Sequence, residues 1–294
     1  MSESTGKRPA RGKPVQKPSG KLRGNPRESE EVRISKTLSY ILRHGAKSEG
    51  LRMREDGYVQ VRDLLTLPKM SSLNIMSLEK IVKEDSKMRY HLLFEPKGDA
   101  SESSARMNPD CWWIRANQGH SLKDVKLDHA PLTDSGQVPM AVHGTTLSAW
   151  KSIQTQGLSR MKRQHIHLAQ GVAGTGVVSG MRNSSEVLIF IDLEKAMKAG
   201  IKFVLSSNGV VLTEGDENGF LHPQFFRRVE GKNKSPIRGW EGKGPIESAT
   251  KLLEETNLKE IPVVDTIVEV EGSQEKPSIS SEEKPDTTER TSQQ

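Results

Sequence analysis

The chain has 294 residues, a formal net charge of +6, 28% charged residues and 4% aromatic residues. This length can bury one large hydrophobic core or two modest ones, and the excess of positive charge favours an anionic partner, first of all a nucleic acid. The longest apolar run, Val187–Ile191, is far shorter than the ~20 residues that cross a bilayer, and the N-terminus has no apolar region typical of signal peptides. We therefore expect no membrane span and no secretion.

The sequence contains a single cysteine, Cys111. One cysteine cannot form a disulfide within the chain, and it cannot build a cysteine-based zinc site. We therefore expect a protein of a reducing compartment, which is the cytoplasm, the nucleus or both.

Both ends of the chain lack the apolar residues that a packed core requires. Residues 1 to about 27 contain eight Lys and Arg residues against one acid, Glu3. Because such a segment cannot offset its ordering entropy by burial, we expect a disordered basic arm. The arm adds affinity for phosphates, carries a nuclear signal or only keeps the chain soluble. The stretch from about Glu271, rich in Ser, Thr, Glu, Gln and Lys, is expected to be disordered for the same reason.

The first folded segment begins with an amphipathic pattern. Apolar residues of Ile34–Gly45 recur at helical spacing, which predicts a helix with Gly45 just past its C-terminus and with Arg43 and His44 in its last turn. Residues 96–110 are rich in Pro, Gly, Asp, Ser, Glu and Asn and are expected to form a loop or an insertion.

Further elements follow that helix within about 60 residues. They are a hairpin turn at Asp56-Gly57 between residues 51–53 and 58–61, a helix with apolar positions Ile75, Leu78, Ile81 and Val82, and a strand at Tyr90–Phe94. A helix, a short hairpin and a second helix before a strand form the outline of a small winged-helix-type α+β domain.

The second half is predicted to contain many short strands and few helices. The expected strands are Trp112–Ala116, Met140–His143, His165–Leu168, Val187–Ile191 and Gly209–Leu212. The expected helices cover about Leu147 to Gln156, before Gly157, and about Leu193 to Ala199, before Gly200. This pattern predicts an open, β-rich core.

Histidine is scarce, at eight residues, and four of these lie in three short phrases: Gln118-Gly119-His120-Ser121, His143-Gly144-Thr145 and Arg163-Gln164-His165-Ile166-His167. Glycine beside polar residues lets the backbone approach a ligand closely, which fits a nucleotide or phosphate site. Taken singly, each histidine is also explained as a hydrogen-bonded structural residue. His165 and His167, two apart on a strand, could face one side and bind zinc, but no third ligand has suitable spacing, so we expect no metal site. P-loop and Rossmann patterns are absent from the sequence.

Six phrases, taken together and in this order, closely resemble those of the tRNA 2′-phosphotransferase family, over about Ile34 to Arg228. They are Leu38-Ser39-Tyr40-Ile41-Leu42-Arg43-His44, Ile114-Arg115-Ala116-Asn117-Gln118-Gly119-His120-Ser121, His143-Gly144-Thr145, His165-Ile166-His167-Leu168, Ser179-Gly180-Met181-Arg182 and Asn208-Gly209-Val210. Each phrase alone is weak evidence, whereas six in sequence are specific.

The resemblance implies an N-terminal winged-helix-like RNA lobe and a C-terminal, β-rich ADP-ribosyltransferase-type lobe that binds NAD. The domains expected on this basis are a basic arm (1–29), the RNA lobe with its loop insertion (30–110), the NAD-binding lobe (111–230) and a C-terminal extension (231–294) that is largely disordered after about residue 271. We expect a monomer that uses NAD as co-substrate and no metal.

The resemblance also implies a reaction in two steps on tRNA that carries an internal 2′-phosphate at its splice junction. The RNA phosphate first attacks C1″ of the nicotinamide ribose and nicotinamide leaves. The ribose 2″-hydroxyl then attacks that phosphorus, which releases RNA with a free 2′-hydroxyl and ADP-ribose 1″,2″-cyclic phosphate.

The catalytic set implied by the resemblance is Arg43, His44, Arg115 and Arg182. A guanidinium group binds two phosphate oxygens at once and stays charged. The imidazole of His44 is the only one of the four groups that moves a proton near neutral pH. Alone, Arg43 and His44 could be cations that favour a helix C-terminus, Arg115 a side chain that extends past a buried strand, and Arg182 a solvated loop charge.

The remaining implied contacts are to NAD and RNA. The NAD-binding set is Gln118, Gly119, His120, Ser121, His143, Gly144, Thr145, His165, His167 and Leu168, with Asn208 and Gly209, and the RNA contacts are Ser35 and Lys36. Two other functions remain open at this point: transfer of ADP-ribose to terminal phosphates of RNA or DNA, and nucleic-acid binding without catalysis.

Overall fold

The computed structural model describes residues 20–96, 101–172, 180–182 and 184–242, together with the backbone of a strand at 267–269. The predicted disorder of residues 1–19 and of the tail after residue 271 lies outside these ranges, as does most of the Gly-rich stretch at 173–179. Helices and strands occur together, and most strand pairs are antiparallel, so the fold is α+β as predicted.

The helices and strands have the following bounds in chain order. The α-helices are α1 Glu30–Tyr40, α2 Val61–Leu65, α3 Ile75–Lys83, α4 Glu102–Arg106, α5 Leu147–Gln156 and α6 Leu193–Lys198, and a π-helical turn covers Ile41–Gly45. The strands are β1 Val59–Gln60, β2 Tyr90–Phe94, β3 Trp112–Ala116, β4 Ala130–Leu132, β5 Val142–Thr145, β6 Leu158–Ser159, β7 Ile166–Leu168, β8 Val187–Ile191, β9 Phe203–Leu205, β10 Val211–Thr213, β11 Phe220–Leu221, β12 Phe226–Gly231 and β13 Ile267–Glu269.

Two large hydrophobic cores define a first lobe (20–116) and a second lobe (130–242), joined by the segment 117–129, and the second lobe also contains a small third cluster of Val142, Leu188 and Phe190. The first sheet has the order β1-β3-β2-β13, with β13 parallel to β2. The second lobe contains the sheets β4-β9-β10-β7 and β12-β8-β5 and the pair β11-β6. Val142 and Ala169 exchange two backbone hydrogen bonds of 2.8 Å, which connect β5 to the end of β7.

The strand Trp112–Ala116 was predicted to belong to the second lobe, and this prediction is wrong. The structure places it in the sheet of the first lobe. It pairs antiparallel with β2 and with β1, and Ile114 is opposite Leu92 and Val59. Its inward residues Trp112, Ile114 and Ala116 are buried in the first core. An alternating strand read from sequence carries no information on which distant strands it pairs with, so the boundary at residue 110 cuts this sheet.

The first helix also ends differently from the prediction. Gly45 is not in the left-handed region, and the helical path continues to Gly50, whose φ is 75°. Gly45 is required for a different reason, because a Cβ atom there would lie 2.7 Å from Cε1 of Tyr40. The close contact of Tyr40 with the backbone therefore needs glycine inside the π-helical turn.

The described parts of two segments expected to lack regular structure, residues 20–27 and 101–110, make defined contacts. In the basic arm, the backbone N–H of Arg23 donates to Oγ1 of Thr37 (2.8 Å), the Arg23 guanidinium lies 3.6 Å from the centre of the Tyr40 ring, and Leu22 packs against the first core. These contacts offset the ordering entropy that composition alone suggested would dominate. In the expected loop 96–110, residues 102–106 form α4, and buried Ala105 joins the first core.

Most other predicted elements are present, although β5 and β10 begin two residues later than predicted and Val61, expected in a strand, begins α2. The hairpin turn at Asp56-Gly57 is present, with one bridge between Met53 and Val59, and the second-lobe helices begin where expected. Gly157 and Gly200, with φ of 94° and 88°, follow them as predicted. Within the described ranges, no helix is both long and apolar enough to cross a membrane.

Candidate active site

The π-helical turn at the end of α1 positions Arg43 and His44. The segment that follows β3 binds this turn, because the backbone N–H of Ser121 donates to the carbonyl oxygen of Arg43 at 3.0 Å. The Ser121 hydroxyl and Nδ1 of His44 share a hydrogen bond of 2.9 Å. A π-helical turn widens the helix locally and is common at functional sites. The side chains of both residues thereby face the connecting segment.

The Arg43 guanidinium is buried without a protein partner for two of its nitrogens. Its Nε and Nη2 atoms have no hydrogen-bond acceptor among the residues that the structure describes. Burial lowers the pKa of Arg43 to about 10, so the group is still charged at neutral pH. Gly119, with a φ of 88°, lies so close that a Cβ atom there would be 3.3 Å from Nε of Arg43. A buried cation without an acceptor is costly, which indicates a site built for an anionic ligand.

Two buried histidines of the phrases also have free ring nitrogens. Nε2 of His120 and Nε2 of His167 are buried and have no hydrogen-bond partner among the described residues. Burial, followed by nearby positive charge, lowers the pKa of His120 to about 3 and that of His167 well below its usual range. His143 donates from Nδ1 to the carbonyl oxygen of His167 at 3.0 Å, and its pKa is also lowered, chiefly by burial. These rings are neutral and offer hydrogen bonds rather than charge.

Arg163 is a site residue that the sequence analysis did not select. For the lowered pKa values of Arg43, His44, His143 and His167, burial is the main cause and Arg163 is the strongest cationic neighbour. The structure shows no carboxylate paired with Arg163 among the described residues. The arginine could have been found from its place two residues before the His165-Ile166-His167 phrase, but an exposed cation in a turn has no distinctive pattern.

Hydrogen bonds of the next residue hold Arg163 near the connecting segment. The backbone N–H of Gln164 donates to the carbonyl oxygen of His120 at 3.0 Å, and its side-chain amide donates to the carbonyl oxygens of Leu122 and Val125 at 2.9 and 2.7 Å. The same segment contains Ser121, which contacts His44. Arg163 is therefore tied to the backbone that holds the π-helical turn.

Arg182 belongs to the same charged cluster. It is exposed, and its positive charge contributes, after burial, to the lowered pKa of Arg163 and of His143. Its carbonyl oxygen accepts hydrogen bonds from the backbone N–H and the hydroxyl of Ser185 at 3.1 and 2.8 Å. Arg163 therefore lies within electrostatic reach of Arg43, His44 and Arg182.

Arg115 is separated from this cluster. It lies on the outer face of the first sheet, donates to the carbonyl oxygen of Asp56 at 3.2 Å and is 4.7 Å from the centre of the Tyr58 ring. His120 lies within electrostatic reach of both groups, since Arg43 and Arg115 both contribute to its lowered pKa, after burial as the first cause. Nε of Arg115 is buried without an acceptor, so this arginine also has capacity for a ligand.

The other residues of the expected NAD-binding set occupy different environments. Gln118 is buried, and Gly144 and Thr145 end β5 beside β8. His165 faces the ring of His129, with ring centres 5.8 Å apart, and lines a pocket of about 460 Å³ with Lys126 and Arg160. A cavity of about 550 Å³ between β8, α6 and β12 contains none of the expected site residues.

Three of the expected NAD contacts also have structural roles. Leu168 is 0% exposed and packs in the second core, so its side chain is structural. The side-chain amide of Asn208 donates to the carbonyl oxygen of Lys87 at 3.1 Å, and Gly209, with a φ of 74°, completes the turn between β9 and β10. These residues connect structural elements, because an asparagine and a glycine are suited to a tight turn.

The expected RNA contacts both have partners within the first lobe. The backbone carbonyl oxygen of Ser35 accepts a hydrogen bond of 2.8 Å from the Tyr90 hydroxyl, and Lys36 forms an ion pair with Glu28. Lys36 is exposed, so its ammonium group is accessible to a phosphate that competes with Glu28. Among the described residues, no group of three His, Cys, Asp or Glu side chains is arranged to hold a metal ion.

Replacing Arg163 with glutamine is expected to raise the pKa of His44, because removal of a nearby positive charge favours the imidazolium. The measurement is an NMR titration of the histidine rings. Arg160→Gln is the matched control, since Arg160 acts on the pKa of His165, after burial and Glu214, rather than on His44. Equal His44 titrations in both variants would contradict the placement of Arg163.

This geometry defines a class of protein. The fold is α+β, and among its described residues the buried guanidinium of Arg43 and the neutral rings of His120 and His167 have polar nitrogens without partners, as a site for an anionic ligand requires. The sequence model of the RNA 2′-phosphotransferase, Tpt1/KptA family matches residues 29–215, more than half of the chain. The chain belongs to this family.

Individual relatives are similar over most of the folded part. The tRNA 2′-phosphotransferase 1 of Danio rerio is 45% identical over 212 residues, which cover 71% of this chain and 89% of that relative. The tRNA 2′-phosphotransferase 1 of Homo sapiens is 43% identical over 213 residues, covering 71% of this chain and 80% of that protein. The tRNA 2′-phosphotransferase of Saccharomyces cerevisiae is 35% identical over 196 residues, which cover 64% of this chain and 80% of that protein.

Proposed function

We propose that this RNA 2′-phosphotransferase removes the splice-junction 2′-phosphate from ligated tRNA and transfers it to NAD, with nicotinamide and ADP-ribose 1″,2″-cyclic phosphate as products. Family membership and the names of the relatives support the phosphotransferase activity and the tRNA substrate. The observation that carries the proposal is the buried guanidinium of Arg43, whose Nε and Nη2 have no acceptor in the described part of the chain. An RNA phosphate dianion supplies the negative charge that balances this guanidinium and the oxygens that accept its hydrogen bonds.

The proposed catalytic set is Arg43, His44, Arg115 and Arg182, to which the geometry adds Arg163. A phosphate dianion is already a nucleophile, so the arginines act by orienting it and by offsetting its charge. Their fixed positive charges lie in a partly buried site, where electrostatic interactions are stronger than in water. Arg115, within electrostatic reach of His120, extends the set toward the outer face of the first sheet.

His44 is the proposed proton carrier. Burial and the neighbouring Arg163 and Arg43 lower its pKa, so the ring is mostly neutral at pH 7 and can accept a proton. Its Nδ1 is held by the Ser121 hydroxyl at 2.9 Å, which leaves Nε2 for a substrate hydroxyl. Proton removal from a ribose hydroxyl that attacks the phosphorus requires a group of this kind.

The residues present fit NAD as the co-substrate. The free Nε2 atoms of His120 and His167 can bind polar groups of a dinucleotide, and Gly119 leaves the space that a side chain would occupy. NAD, when bound, supplies an electrophilic ribose carbon with nicotinamide as its leaving group. The proposed binding residues are Gln118, Gly119, His120, Ser121, His143, Gly144, Thr145, His165 and His167, with backbone contacts from Leu168 and Gly209.

We propose that the first lobe binds RNA and the second binds NAD, as the resemblance implies. A winged-helix-type RNA lobe corresponds to the first lobe, which contains α1 to α3 and the sheet β1-β3-β2, and an ADP-ribosyltransferase-type lobe corresponds to the strand-rich second lobe. Support comes from the position of Arg43 and His44, which reach the cluster from the first lobe, whereas Arg163 and Arg182 reach it from the second. The monomeric state and a location in the cytoplasm, the nucleus or both remain predictions.

The test incubates the full chain with NAD and an RNA that bears one internal 2′-phosphate. We expect release of ADP-ribose 1″,2″-cyclic phosphate and of an RNA with a free 2′-hydroxyl at that position, whereas an otherwise identical RNA without the phosphate gives no product. ADP-ribose that stays on a terminal phosphate of RNA or DNA would favour a different transferase. Binding of RNA without any product would contradict catalysis.

A further inference from the structure

The turn between α3 and β2 in the first lobe binds the second lobe directly. The Lys87 ammonium group donates to the backbone carbonyl oxygen of Met181 at 2.9 Å. In the opposite direction, the side-chain amide of Asn208 donates to the carbonyl oxygen of Lys87 at 3.1 Å. One residue of the first lobe therefore makes two polar contacts with two separate segments of the second lobe.

The turn that presents Lys87 is held firmly in the first lobe. The Asp85 carboxylate accepts hydrogen bonds from the backbone N–H of Lys87 at 3.3 Å and of Arg89 at 2.5 Å. Met88 has a φ of 42°, a left-handed conformation that needs support from its surroundings. Its carbonyl oxygen accepts a hydrogen bond of 2.8 Å from the side chain of Asn117, at the end of β3.

The contacts in the second lobe are equally well defined. Asn208 is buried, and its side-chain oxygen accepts a hydrogen bond of 2.8 Å from the Ser206 hydroxyl. Gly180, just before Met181, has a φ of 102° and approaches Ala169 so closely that a Cβ atom would lie 2.8 Å from Cα of Ala169. The backbone that Lys87 binds is thus pressed against the end of β7.

The carbonyl oxygen that Lys87 binds immediately precedes Arg182, one of the proposed catalytic residues. The backbone N–H and the hydroxyl of Ser185 donate to the carbonyl oxygen of Arg182 at 3.1 and 2.8 Å. Two successive carbonyl groups are therefore fixed, one by the first lobe and one by the second. A hydrogen bond from a charged donor is stronger than a neutral one and is well suited to this task.

We propose that Lys87 is a positioning residue, which acts across the lobe interface by fixing the backbone at Met181 so that Arg182 faces the phosphate held by Arg43. This inference rests on the catalytic role that the proposed function gives to Arg182. Lys87 acts through Met181 and Arg182 and does not contact substrate. Asn208 then serves the interface, which explains why its side chain faces Lys87 instead of the histidine phrases.

Electrostatics agree with this arrangement. Burial is the main cause of the lowered pKa of Lys87, and Arg89 and Arg182 lower it further, so the ammonium group lies within reach of the Arg182 charge. Two like charges near each other need a compensating acceptor, and the Met181 carbonyl oxygen is that acceptor. The Asp85 carboxylate is a further compensating charge, since it raises the pKa of Lys87.

The test compares Lys87→Met, Lys87→Arg and the control Lys80→Met in the full chain. Methionine keeps the length of the side chain and removes the donor, whereas arginine keeps a charged donor. We expect kcat to fall about tenfold in Lys87→Met with KM values for RNA and NAD nearly unchanged, because misplacement of a catalytic group affects the rate more than binding. Lys87→Arg is expected to recover most of the rate. Lys80 is exposed, with its nitrogen 3.8 Å from Glu84, and its loss should have no effect.

A double-mutant cycle with Arg182→Lys separates positioning from direct contact. If Lys87 acts only through Arg182, the Lys87→Met change costs little further rate in the Arg182→Lys background. Full additivity, or an increase of the RNA KM alone, would instead assign Lys87 to RNA binding and overturn the inference. A Lys87→Met variant as active as the Lys80→Met control would also overturn it.

A measurement independent of turnover keeps this inference distinct from the proposed function. The Ser185 amide is protected by its hydrogen bond to Arg182, and we expect its hydrogen exchange to accelerate several-fold in Lys87→Met and to be unchanged in Lys80→Met. An unchanged hydrogen-exchange rate of the Ser185 amide in both variants would contradict the positioning role of Lys87. Absence of product from the native chain would contradict the proposed function alone, since the exchange experiment requires no substrate.

Discussion

Replacement of Arg43 by methionine is expected to stop turnover and at the same time to raise the thermal stability of the ligand-free protein. The guanidinium is buried, two of its nitrogens have no acceptor, and burial lowers its pKa to about 10. An apolar side chain of similar length removes this unpaired charge, which stabilises the fold by about 1–3 kcal/mol. Turnover falls by roughly 10³-fold, because a donor aimed at the reacting phosphate is lost.

Calorimetry with and without inorganic phosphate measures both parts of this prediction. Phosphate is expected to raise the melting temperature of the native protein, because an anion that binds the folded state stabilises it, and to have little effect on the Arg43→Met variant. Arg52, an exposed residue of the same lobe, supplies the control Arg52→Met, in which stability, phosphate response and turnover stay near those of the native protein. A strongly destabilised Arg43→Met variant would show that the guanidinium contributes to the fold.

Replacement of Arg182 by alanine is expected to abolish turnover with almost no change in stability. Arg182 is exposed and packs in neither hydrophobic core, so truncation removes little buried surface. Its charge nevertheless lies within electrostatic reach of Arg163 and His143. Loss of one of the converging cations removes charge stabilisation that develops in the transition state, which is worth ~10²-fold or more in rate.

The product assay and a thermal melt decide this prediction. Arg238→Ala, a change of an exposed arginine elsewhere in the second lobe, is the control and is expected to retain both rate and melting temperature. A melting temperature that drops by many degrees in Arg182→Ala would assign the residue to folding. A rate equal to that of the control would remove Arg182 from the catalytic set.

The elements that the sequence predicts well are those whose signals are local. The helix Leu147–Gln156 has the predicted bounds because its apolar face and the following Gly157 are read within eleven neighbouring positions. The π-helical turn at Ile41–Gly45 was not predicted, since its residues continue a normal helical pattern and the hydrogen bond that it accepts from Ser121 comes from a distant part of the chain.

Site prediction follows the same rule. Motif phrases led to Arg43, His44 and Arg182, which all lie within electrostatic reach of Arg163, and to Arg115, which lies on the outer face of the first sheet beside Tyr58. Arg163 was not predicted as a site residue, because the groups it lies near are distant from it in the sequence. Leu168 was selected by its place in a phrase, whereas its side chain is buried in the second core.

By itself, the sequence determined the α+β class, the order of most elements, the family resemblance and the residue types that handle a phosphate. Periodicity, glycine positions and motif phrases involve a few neighbouring residues, so they can be recognised from the sequence alone. Only the tertiary structure decided that β3 belongs to the first sheet, that Arg163 joins the cluster and that Lys87 meets Met181. These facts depend on pairs of residues far apart in the chain, whose proximity is set by the burial of two whole cores.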